Sequence, residues 1–277
     1  MLCSKPGSAQ REAELNRGMR VAAWLLFIGT MYLILRDVVL HWIVLPTLGD
    51  IGFTLVFVFF ALFHCAACEG WKRTGLFFAL SAVVSYLLEE IGVRTGLVYG
   101  AYHYSGMLGP KLGHVPALIP LAWFMMIYPS WIVARALLRG VDTYSLPGLV
   151  GQALVAAFVM TAWDTVMDPG MAAAGNWVWE HGGAYFGVPL RNYLGWIVTT
   201  FLVYLGAGWL WRSDSSKVSA ETGFAALPIV IYAAYAISYI TPRRIPALQI
   251  VALFAMGMPA LLALMQVGWK RKDRQSR

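Results

Sequence analysis

Asp164 and Asp168 stand four residues apart in the stretch AWDTVMDPG, so on an α-helix their carboxyl groups share one face a turn apart. Two such acids in a poorly solvated place resist ionising together, and one of them is expected to keep its proton. A carboxylic acid held neutral is a usable general acid. The alternative is a capping or salt-bridged pair with no chemistry. Pro169 follows at once and is expected to end the helix just past the second acid. Glu89 and Glu90 form a second acidic pair. Arg94 lies four residues beyond Glu90, the spacing of a helical ion pair, which marks Glu90 as structural. Glu89 points about 100° away around the helix and is the freer acid. Arg36 and Asp37, with His41 a turn beyond, are expected to pair internally and orient the neighbouring acids.

The elements that must position these side chains are membrane spans. Of the 277 residues 59% are hydrophobic and only 13% charged, with mean hydropathy +0.64, whereas ordinary soluble domains carry about 25% charged residues. Apolar stretches near the twenty-residue spanning length recur at about 20–43, 51–69, 74–94, 116–138, 148–168, 192–211, 223–241 and 247–269. The expected fold is therefore an all-α polytopic bundle of about eight spans, one integral membrane domain over 1–277. Asp37, Glu89, Glu90, Asp164 and Asp168 all fall near the same end of their spans, Arg36 and Asp37 deep in the first. A charge near the bilayer centre costs roughly 2.5–3.5 kcal/mol, so such residues usually mark a working site.

The formal charge of +7 invites a nucleic-acid reading, but the positions of the basic residues argue against it. With eight spans and the N-terminus inside, fifteen of the 21 Lys and Arg fall on inner segments, five on outer ones, and Arg36 within the first span. That is the positive-inside pattern. It predicts a multi-pass protein of the cell membrane with both termini cytoplasmic, 1–19 a short inner segment and 270–277 a basic anchoring tail. The first apolar segment is too long for a signal core and is expected to remain a span.

Two connections stand out, at about 95–115 and 169–191. Both are rich in Gly, Tyr and Trp, and both are expected to form partly re-entrant caps over the outer helix ends. Irregular backbone at that depth is tolerated where it is buried in protein or lines a cavity. Cys65 and Cys68 form a lone CxxC, read as packing residues. His41, His64, His103, His114 and His181 show no metal-ligand spacing, although a zinc hydrolase using His103, His114 and His181 stays open as an alternative. There is no GxSxG, phosphate loop or dinucleotide fingerprint.

Acids, aromatic faces and few nucleophiles suit proton-initiated chemistry on an apolar substrate. A buried carboxylic acid can protonate an alkene, Trp and Tyr faces can stabilise the cation by about 2 kcal/mol or more each, and a second carboxylate can activate water. Hydration, double-bond isomerisation and cyclisation all use these parts, and a non-catalytic polyene or lipid carrier would show them too.

The stretches Glu89 to Trp123 and Ala162 to Trp196 carry G-x-x-[YF]-G-x-Y-x-Y after an acid, Val-Pro-x-x-x-Pro, W-D-x-x-x-D-P and G-V-P-x-x-N-[YF]-x-G-W. In these motifs the chain resembles the carotenoid-biosynthesis membrane proteins, the carotenoid hydratases of the bisanhydrobacterioruberin hydratase and γ-carotene/lycopene hydratase type. The resemblance implies cofactor-independent addition of water to the terminal isopropylidene double bond of a carotenoid. Glu89, Asp164 and Asp168 match the family's acids; Tyr99, Tyr102, Tyr104, Trp177, Trp179 and Asn192 match its aromatic and amide positions. Trp123, Trp163 and Tyr193, in the same stretches, are further candidates to contact the substrate. The expected partners are a long polyene, water, membrane lipid and other enzymes of the same pathway.

Overall fold

Backbone polar groups inside lipid must find partners within their own segment, which long apolar stretches do by becoming helices. The computed structural model describes residues 8–39, 48–143, 145–211, 222–240 and 245–275. In chain order they form α1 (Ser8–Val39), α2 (Gly49–Glu69), α3 (Trp71–Thr95), β1 (Tyr102–Tyr104), β2 (Lys111–Leu112), β3 (Val115–Pro116), α4 (Ile119–Leu137) and α5 (Leu146–Ala173). Then follow β4 (Trp177–Trp179), α6 (Leu190–Trp211), α7 (Thr222–Ala225), α8 (Leu227–Ile240), α9 (Pro246–Val251), a π-helical turn (Ala252–Gly257) and α10 (Met258–Gln275).

Among the described residues, seven helices are long and apolar enough to cross a membrane; the last is Pro246–Gly268, running through α9, the π turn and part of α10. The expected all-α multi-pass bundle is what is found. The seventh stretch of the expected eight is the exception in length. It divides into the one-turn α7 and the 14-residue α8, about 21 Å long at 1.5 Å per residue, against a hydrocarbon core of about 30 Å. The π turn lies just before Pro259, which has no N–H to give the carbonyl of Ala255.

Two expectations need correction. The helix carrying the two aspartates does not stop at Pro169 but runs through it to Ala173. Proline removes the N–H that Thr165 O would accept, and the Tyr185 hydroxyl donates to that carbonyl at 3.0 Å instead. The two aromatic connections are not only coil: β1 and β4 pair antiparallel in the register Tyr102↔Trp179, His103↔Val178, Tyr104↔Trp177. Side chains alternate across a strand, so the tyrosines and tryptophans turn inward while His103 and Val178 are exposed.

α5 packs against α6 and α4, α1 against α2, and α8 against both α1 and α4. The core between them is aromatic and aliphatic, with Phe57, Phe60, Phe124, Tyr204 and Tyr232 fully buried. The two tyrosine hydroxyls among them are satisfied: Tyr204 donates to Ile127 O at 2.9 Å and Tyr232 to Val159 O at 2.7 Å. At the end of the bundle away from the acids, Arg73 and Arg135 hold Glu69 at 3.2 and 2.7 Å, and His64 bridges the Tyr128 hydroxyl and Phe224 O.

Candidate active site

The C-terminal ends of α1, α3, α5 and α8 and the N-terminal ends of α2, α4 and α6 converge around a cavity of about 310 Å³, roofed by β1 and β4. Antiparallel neighbours alternate their ends, so helices that carry acids at their C-terminal ends gather them on one side.

Glu89 is buried in the wall, its carboxylate the acceptor of three donors. Tyr102 and Tyr104 both donate to Oε2, the latter at 2.8 Å, and Trp123 Nε1 donates to Oε1 at 3.1 Å. Strand alternation explains the first two: residues two apart on β1 point the same way, so both phenols reach one oxygen. Their rings meet edge to face at 5.4 Å. Burial pushes both phenols well above the ordinary tyrosine value, and the neighbouring Glu89 charge pushes them further. Neutral, they remain donors.

Asp164 and Asp168 share one face of α5, as the four-residue spacing requires, and are bridged from α6. The Asn192 amide nitrogen donates to Asp164 Oδ2 at 2.9 Å and to Asp168 Oδ2 at 2.8 Å. Trp177 Nε1, brought in by β4, donates to Asp168 Oδ1 at 2.6 Å. Asp164 Oδ1 has no hydrogen-bonding partner among the described residues, although the residue is only 1% exposed. The indole nitrogens of Trp163 and Trp179 are likewise buried without hydrogen-bonding partners among the described residues.

Aromatic faces complete the enclosure. Trp123 stacks on Trp196 at 4.0 Å, and Trp163 meets Trp196 edge-on at 6.0 Å. Tyr99, held by Thr199 Oγ1 at 2.8 Å, lies between Gly92 of α3 and Gly195 of α6. Added Cβ atoms there would come within 2.7 and 2.5 Å of its ring, so only glycine lets the ring in.

The cavity thus collects Glu89, Asp164, Asp168, Asn192, Tyr99, Tyr102, Tyr104, Trp123, Trp163, Trp177 and Trp179, with Arg36 also on its lining. Glu90 faces away: it pairs with Arg94 at 2.7 Å and accepts from the His114 backbone and ring, both at 2.9 Å, which pins the turn at Gly113. Tyr193 is not part of the lining; its ring packs edge-on against Tyr185 at 5.3 Å. The side chain of Asp37, and His41 altogether, lie outside the described residues. His103 turns outward to Glu180, and His114 to Glu90.

No motif marks the cavity's other walls. Trp196 was visible at the end of a motif, but Phe53, Met125, Tyr235, Ser238 and Tyr239 are apolar or weakly polar residues of ordinary-looking spans.

Fold and cavity together define a multi-pass membrane protein with an internal, aromatic-walled chamber holding three buried carboxyl groups. Residues 49–268 match the family model described as "carotenoid biosynthesis protein", and the chain belongs to that family. It is similar to the bisanhydrobacterioruberin hydratase of Haloarcula japonica, 33% identical over 129 residues, which is 46% of this chain and 42% of the relative. The match therefore spans less than half of that relative's length. No solved structure matches the chain.

Proposed function

We propose that the protein is a carotenoid hydratase that adds water across the terminal isopropylidene double bond of an acyclic or monocyclic carotenoid. The observation that carries this reading is the meeting of Glu89, Asp164 and Asp168 in one aromatic-walled cavity within a membrane bundle. The printed name of the Haloarcula japonica relative supports the same chemistry.

An aspartic acid of the Asp164–Asp168 pair gives its proton to the less substituted alkene carbon; the π electron pair forms the new C–H bond and leaves a tertiary cation. Indole and phenol faces stabilise that cation by about 2 kcal/mol or more each when desolvated. A water oxygen attacks the cation while a neighbouring carboxylate takes the proton that water releases. Alkene and water are consumed, a tertiary alcohol forms, and the acids recover their starting protonation. Glu89, fixed by three donors, offsets the positive charge from the opposite wall. The positive-inside bias supports an orientation in the cytoplasmic membrane with both termini inside, which puts the cavity at the outer ends of the helices.

The test is incubation of the purified protein in lipid with an acyclic carotene bearing isopropylidene ends, followed by mass analysis. The expected product is heavier by one water. A product of unchanged mass but altered spectrum would point to isomerisation or cyclisation, and pigment recovered unchanged would point to a carrier.

A further inference from the structure

We infer that the three acids are not interchangeable and that Asp164 is the proton donor. This rests on the hydratase reading and settles which carboxyl opens the reaction. A donor must have an oxygen that can turn its O–H toward the substrate. Glu89 has both oxygens engaged, Oε2 by Tyr102 and Tyr104 and Oε1 by Trp123. Asp168 has both engaged as well, Oδ1 by Trp177 and Oδ2 by Asn192. In Asp164, a residue of the cavity lining, only Oδ2 is held, by the same Asn192 nitrogen at 2.9 Å, while Oδ1 is buried with no hydrogen-bonding partner among the described residues. The bridging amide holds the carboxyl through Oδ2 and leaves Oδ1 as the one oxygen of the three acids that no donor among the described residues occupies, the oxygen to carry the transferable proton. Asp168 is the positioning residue and the proton acceptor: it shares the Asn192 bridge, and its indole contact anchors it to β4.

In the forward step the Asp164 O–H bond breaks, its hydrogen joins the terminal alkene through the π pair, and Asp164 becomes a carboxylate. Water adds to the cation and its surplus proton passes to Asp168; transfer from Asp168 back to Asp164 resets the pair.

Two measurements test the assignment. D164N, isosteric and uncharged, is expected to lose hydration a hundred-fold or more, the range for removing a positioned acid, while still retaining the polyene. D168N keeps a donor in place and is expected to fall about ten-fold, with an altered pH profile. Comparable losses in both variants, or the larger loss in D168N, overturn the assignment. The second measurement uses the unaltered protein, so it is independent of how the variants fold. A hydrophobic carbodiimide reacts with protonated carboxyls, and peptide mass mapping should find Asp164 modified in step with inactivation. Modification of Asp168 or Glu89 in step with inactivation, with Asp164 untouched, refutes it. Unaltered protein that binds polyene but never adds water sinks the hydratase reading instead, and the labelled position still reports which acid carries the proton.

Discussion

At the residue scale, the Glu89 triad of donors carries a pH signature. Tyr99, Tyr102 and Tyr104 sit outside the spans, in the connection between α3 and α4, and burial holds all three phenols well above the ordinary value of about 10. Below that pH the phenols are neutral whether the chain is folded or not, and their contribution to stability is complete. Above it the unfolded chain loses phenolic protons that the folded chain keeps, so unfolding gains and stability falls as pH rises. The melting temperature in lipid should therefore drop above about pH 10, and the double variant Y102F/Y104F should drop less steeply. The same variant should be less stable at neutral pH, because Glu89 then loses two of its three donors at a cost of about 1–3 kcal/mol each. An equally steep alkaline fall in the double variant would show that these phenols are not shielded.

At the element scale, the spacing of α3 and α6 is set by the Tyr99 ring between them. G195A forces a methyl to 2.5 Å from the ring and 2.7 Å from Val98 O, a backbone atom that yields little. It is expected to cost about 1–3 kcal/mol as overpacking and to weaken activity by shifting the wall. G75A, where nothing lies within 4 Å, should be neutral or slightly stabilising through helix propensity. Equal melting temperatures for the two variants would dismiss Tyr99 as the spacer.

This is also the scale at which the sequence was most and least readable. The long spans follow from runs of apolar residues, and the Asp164–Asp168 face follows from helix geometry alone. What escaped was set by tertiary partners. Pro169 is a sound stop signal, yet Tyr185, sixteen residues on in the chain, supplies the donor for the freed carbonyl and lets the helix continue. Tyr-His-Tyr and Trp-Val-Trp show the period of two that marks strands, but three residues are too few to argue from until the partner strand is known. Tyr193 resembles its aromatic neighbours in sequence, and only its place on α6 turns it from the cavity to Tyr185.

At the scale of the whole molecule, the size of the cavity bears on how a long substrate can be handled. A volume of about 310 Å³ lies at the lower end of the range of roughly 300–1,000 Å³ that takes a drug-sized ligand. A carotenoid of tens of carbons is extended and rigid, and only its end group fits such a space. On the hydratase reading the rest stays in lipid, and the exposure of the lining suggests where it leaves. Among the described residues of the lining the acids are enclosed, whereas Leu48, 56% exposed, and its neighbours Gly49 and Asp50 open the wall at the start of α2, beside the half-buried Leu33 and Phe53. Burial of an apolar chain along that mouth is favourable for each carbon covered. On the hydratase reading the end group that enters the chamber brings the reacting bond to Asp164, which is on the same lining. A substrate with two identical ends must then withdraw and return reversed before its second end reacts. Early in a time course with such a carotene, the singly hydrated product should build up before the doubly hydrated one. It should also appear in free lipid, where added competing carotene slows its conversion. Doubly hydrated product forming from the first turnovers, with no free intermediate, would mean that both ends are served in a single binding event, which a chamber of this volume does not permit.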